Sequence, residues 1–218
     1  MSFSDNRHIA RDDGDPSSDD WNETDWRRYL TQIDIETTLF LKKFIQLRHI
    51  INHLDLIAIQ MGWAQQEDRS IEAIIQKRWR EGPQTLHKHP VYIVTHGLYH
   101  FLYKNWELYQ ESVSSFHSQI SWIYARLLAI GEHNALLGIA CMDMDDPVLA
   151  ICHFKSALQS VNHSMSLIQK APRPSEKTKM LLHDTVLACF DLREVWLRVM
   201  ANCRNIEKDE EESDNENE

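Results

Sequence analysis

Two long runs of side chains, each spaced by alternating steps of three and four residues, constrain this chain more than anything else in it. The first reads Trp26, Leu30, Ile33, Thr37, Phe40, Phe44, Leu47, Ile51, Leu54, Ala58, Met61. The second reads Tyr92, Thr95, Tyr99, Leu102, Trp106, Tyr109, Val113, Phe116, Ile120, Ile123, Leu127, Ile130. Steps of three and four keep every member on one stripe of an α-helix. A helix of this kind does not persist alone, because its apolar stripe must be covered. The pattern therefore predicts an all-α fold: an elongated antiparallel bundle of about four long helices with one or two short ones.

The stops and starts agree with few, long elements. Only six Gly and six Pro occur in 218 residues, and these two residue types do most of the punctuation in a chain. Helix one is expected from Thr24 to Met61, with Asn22 or Thr24 as its cap and Gly62 at its end. A shorter helix is expected over residues 67–81, ended by Gly82-Pro83. The second seam predicts one helix over 91–130, closed by Gly131, although Ser112, Ser114 and Ser115 weaken it locally. Residues 133–144 are short and apolar. Asp143 to Pro147 is a helix-start signal, with Pro at the first helical position, and the next helix runs to about Lys170. Pro172 and Pro174 force a turn. A last helix runs from Ser175 to about Ile206 on Leu182, Thr185, Cys189, Leu192, Trp196, Val199 and Cys203, with Val186, Phe190, Leu197 and Met200 as a second stripe beside it.

Leu137-Gly138, Ala150, Phe154, Ala157 and Leu158 fall at spacings that resemble one tetratricopeptide unit. No second copy lies one repeat length away, and such arrays bury their faces only by stacking copies. The segment reads as ordinary close helix packing.

The formal charge of −10 is carried by the ends. Residues 1–20 hold six acids and two Arg, and residues 207–218 hold eight acids and one Lys. The rest is near neutral. Residues 1–22 and 207–218 thus read as disordered acidic tails around a helical domain at 23–206. The four cysteines form no Cys-x-x-Cys pair, which is the usage of a reducing compartment. No secretory signal and no membrane span are legible, so the expected location is the cytoplasm.

No Gly-rich phosphate loop, nucleophile elbow or HExxH motif is present. Twelve histidines are the one unusual count. His49 and His53, and separately His96 and His100, stand at i, i+4 on the two seam helices. That spacing lets two imidazoles share one ion, so these four are the candidate ligands for Zn or another divalent transition metal. A ladder of His89, His96, Tyr103, Gln110, His117 and Tyr124 flanks the second seam and reads as a packed edge. Lys77, Arg78, Trp79, Arg80 and Lys88 form the one basic cluster, a candidate interaction patch and a possible seat for an acidic tail. It is too small, in a body too neutral, for nucleic acid. The leading expectation is a non-enzymatic bundle that binds protein partners, itself included. The alternative is a metal-binding bundle built on the four histidines.

Overall fold

The computed structural model describes residues 21–63, 87, 89–113 and 118–215, with side chains as far as Ile206. The expected helix over 67–81 lies outside these residues. Six helices form the described chain: α1 (Glu23–Leu47), α2 (His53–Gln60), α3 (Pro90–Ser112), α4 (Ser118–Asp143), α5 (Pro147–Gln169) and α6 (Glu176–Asn215). The all-α bundle expected from the seams is the fold observed.

Local chemistry accounts for where most of these helices begin. Asn22 caps α1 by accepting from the amides of Thr24 (2.8 Å) and Asp25 (3.2 Å), while its own amide donates to Asp25, completing a capping box. Asp146 caps α5 by accepting from the Leu149 amide at 2.9 Å, with Pro147 at the first helical position. Ser175 and Thr178 bond each other reciprocally at the start of α6. His89 caps α3, its Nδ1 accepting from the Val91 amide at 3.2 Å.

Two of the expected long helices are broken. Helix one stops at Leu47, turns over residues 48–52, and resumes as α2. Asn52 sits there in the left-handed region at φ 59°, a conformation that Asn tolerates better than most residues. The second seam breaks after Ser112, whose hydroxyl donates back to the Leu108 carbonyl at 2.7 Å, and Val113 is extended. Side-chain bonds of this kind compete with the helix. Gly131 does not close a helix. It lies inside α4, which continues through the expected short segment 133–144 to Asp143. Residues 133–170 are two helices, parted at 144–146. The acidic segment assigned to a tail from residue 207 is helical in its backbone to Asn215.

Pairs of touching residues give the directions. Tyr99 meets Gly131 and Trp106 meets Tyr124, so α3 and α4 are antiparallel. Gly131 lies by Ser160 and Gly138 by Phe154, so α4 and α5 are antiparallel. Thr95 meets Trp196 and Tyr109 meets Pro172, so α3 and α6 are antiparallel too. Helices α3 to α6 thus form an up-down-up-down bundle. Helix α1 instead runs parallel to α3, with Phe40 on Gly97 and Phe44 on Phe101. It folds back on α2 as an antiparallel hairpin, through Phe40–Trp63 and Lys43–Gln60.

Helix α3 is the axis of the core and touches α1, α4 and α6. Trp196 of α6 is fully buried against it. Its indole N–H donates to Thr95 at 3.2 Å, and its ring packs on Tyr99 and Phe154. The small residues mark the closest approaches. A Cβ on Gly138 would sit 3.0–3.1 Å from the Phe154 ring, and one on Gly131 would meet the Tyr99 hydroxyl. The 137–158 spacings thus serve close packing of α4 on α5.

Candidate functional site

The turn at 48–52 is fastened to α6 by charged side chains. Arg48 Nη2 donates to Asp184 at 3.0 Å, and its Nη1 donates to the Ile45 carbonyl at the frayed end of α1. His53 repeats the arrangement. Its Nδ1 lies 3.1 Å from the Ile50 carbonyl, and its Nε2 lies 3.1 Å from Asp191 Oδ1 in an ion-pair contact. Next along α2, Asp55 accepts from Arg198 at 2.8 Å, and Arg198 also holds Glu194 at 2.8 Å. The three partners on α6, Asp184, Asp191 and Arg198, are spaced by seven residues. That spacing returns to one stripe of a helix, so the hairpin meets a single charged edge.

Both nitrogens of His53 face oxygen atoms, and the ring form that suits both is the imidazolium. Its pKa is raised from the ordinary 6.5: the adjoining Asp191 carboxylate outweighs burial, with the Ile50 carbonyl and Asp55 adding. The Phe44 ring covers its side, at 5.8 Å between centroids.

The second anticipated pair faces a different part of the bundle. His96 Nδ1 lies 3.2 Å from Glu132 Oε1 on α4. Its pKa is raised because that bond outweighs burial, with Asp34 contributing. Tyr92 stacks on it at 5.7 Å. The Tyr103 phenol is pushed up to about 12, by burial first and then by the Glu132 charge. His100 points to solvent.

The four imidazoles are therefore not gathered as the spacing suggested. His49 is exposed in the turn at 48–52, and His53 opens α2. The two do not share one helix face. Among the described residues no group of three or more His, Cys, Asp or Glu is placed to hold a metal ion. Lys77, Arg78, Trp79, Arg80 and Lys88 lie outside the described residues. The residues that the pairing arguments passed over are Asp184, Asp191 and Arg198. Their seven-residue spacing beside an apolar stripe was the available signal.

Among the described residues no helix is long and apolar enough to cross a membrane, and all four cysteines are free. No known protein family, curated protein or solved structure matches the chain.

Proposed function

We propose that this chain is a non-enzymatic helical-bundle protein of the cytoplasm that mediates protein–protein interaction, as a scaffold or adaptor. One observation carries the reading. Helix α1 buries Tyr29, Ile33, Thr37, Phe40 and Phe44 on one face and leaves Leu30, Ile35, Leu39 and Ile45 exposed, followed by Ile50 and Ile51 in the turn and Leu56 on α2. Leu30 and Ile45 lie on other sides of the helix and are ordinary scattered exposures; the exposed apolar pair that shares one face supports a contact surface. Ile35 and Leu39, one turn apart and 56% and 44% exposed, form its centre. Free, mostly buried cysteines suit a reducing compartment.

The test is an Ile35→Glu/Leu39→Glu variant. Both side chains are exposed, so helicity and melting temperature should be unchanged. Proteins captured from cell extract by the wild-type chain should be lost with the variant. Identical capture by the two would end the assignment of this face. No specific capture and no self-association would end the interaction reading itself.

A further inference from the structure

We infer that α1 is exchanged between two copies of the chain, with residues 48–52 as the hinge. The broken helix straightens, and the hairpin of one copy becomes an antiparallel pair of long helices from two. This rests on the interaction reading and names the partner as a second copy.

The first support is the seam itself. Phe44, Leu47, Ile51 and Leu54 continue the alternation of three and four across the break, and no Gly or Pro lies between Phe44 and Met61. Local sequence thus permits one continuous helix. What bends it is the fastening of Arg48 to Asp184, with Asn52 in the left-handed region; the contact of His53 with Asp191 holds α2 on α6 in either form.

The second support is the symmetry of the hairpin contacts. Phe44 meets His53, Lys43 meets Gln60 and Phe40 meets Trp63. Each pair straddles a centre near Ile50 and Ile51. Two straight helices crossing antiparallel at that centre would make every one of these contacts twice, between copies. Each α1 would then reach α3 of the other copy, and its Phe40–Gly97 and Phe44–Phe101 contacts would be remade there. Each α2 would stay on its own α6 through Asp55 and Arg198.

The third support is what lies at the crossing point. Ile45, Ile50 and Leu56 are exposed, and Ile51 is 87% exposed. On a straightened helix Ile51 falls on the seam and Ile50 beside it, where the two helices would cover them, whereas Ile45 and Leu56 would face away from the crossing.

The test is the mass of the full chain by light scattering and sedimentation over a wide concentration range, with two variants at position 52. Ala disfavours the left-handed turn and favours helix, so Asn52→Ala should raise the dimerisation constant by about 5- to 30-fold per hinge. Gly favours the turn and weakens the helix, so Asn52→Gly should lower it. The exchanged dimer should also dissociate slowly on dilution, because α1 must leave α3. A dimer indifferent to residue 52, or one that dissociates at once, would overturn exchange and leave a surface contact, which the Ile35/Leu39 variant reports separately. Wild type and Asn52→Ala both monomeric throughout would overturn the second copy as the partner, whatever other protein the chain binds.

Discussion

His53 of α2 lies 3.1 Å from Asp191 of α6 and ties the start of α2 to the last helix. The folded ring holds its proton more tightly than the ordinary value of 6.5 allows, because Asp191 outweighs burial. A raised pKa contributes stability that is fully present below the unfolded value and is lost as pH rises through the folded one. The groups facing the ring are Asp191, Asp55 and the Ile50 carbonyl, beside the Phe44 ring. We expect the stability gap between wild type and His53→Gln, measured by urea unfolding, to be wider below pH 6.5 than in mild alkali. His96 titrates in the same sense against Glu132, so the variant should keep part of the wild-type pH dependence. A gap of equal size on both sides would show that this ring is not proton-linked to folding.

Gly131 is positioned by tertiary contact, and its partner is Tyr99. A methyl group there would meet the Tyr99 hydroxyl, which is buried and has no hydrogen-bond partner among the described residues. Overpacking of this kind costs about 1–3 kcal/mol, offset in part by the better helix propensity of Ala. Gly131→Ala should therefore destabilise. Tyr99→Phe alone should be neutral or stabilising, since it removes an unpaired buried hydroxyl. The double variant should recover most of the loss, and strict additivity in thermal unfolding would rule out the contact as the cause.

The contrast between Asn22 and Gly131 shows what the sequence could reveal. Asn22, Asp146 and Pro147 act on neighbours within three residues, so the starts of α1 and α5 are readable locally. The apolar stripes of α3, α5 and α6 are readable because burial follows helical period. The break at 48–52 is not, and the one after Ser112 is signalled only by its serines, because the seam keeps its register across both. A pattern that counts apolar steps is blind to a turn held by Arg48 against an aspartate more than a hundred residues away. The placing of the histidines meets the same limit. Spacing of four implies one face only on an unbroken helix, and His49 lies in the turn that precedes α2, which His53 opens. Gly131 looked like a stop until the Tyr99 ring was placed against it.

Thr95 and Trp196 couple α3 to α6 at the centre of the bundle. The indole N–H donates to the Thr95 hydroxyl at 3.2 Å, and both residues are fully buried. Thr95→Val keeps the shape and removes the acceptor. Leaving a buried donor unpaired costs about 1–3 kcal/mol. Trp196→Phe/Thr95→Val removes donor and acceptor together but opens a space. In a double-mutant cycle the Thr95→Val penalty should shrink when residue 196 is Phe. An unchanged penalty would mean that the loss comes from packing and not from the hydrogen bond.

Arg48 should matter more than the aspartate it binds. Asp184→Asn removes the ion pair but can keep a hydrogen bond to the guanidinium. Arg48→Ala removes the same pair and also the donor to the Ile45 carbonyl at the end of α1. Breaking one side of a largely buried pair is costly, whereas replacing both sides with apolar groups is often close to neutral. We therefore expect Asp184→Asn to cost about 1–2 kcal/mol and Arg48→Ala to cost more. Arg48→Met/Asp184→Leu should fall between wild type and Arg48→Ala in chemical denaturation. The order is the test. If Asp184→Asn proved the more damaging of the single changes, the carbonyl of Ile45 would not depend on Arg48, and the helix break would be held by the α6 contact alone.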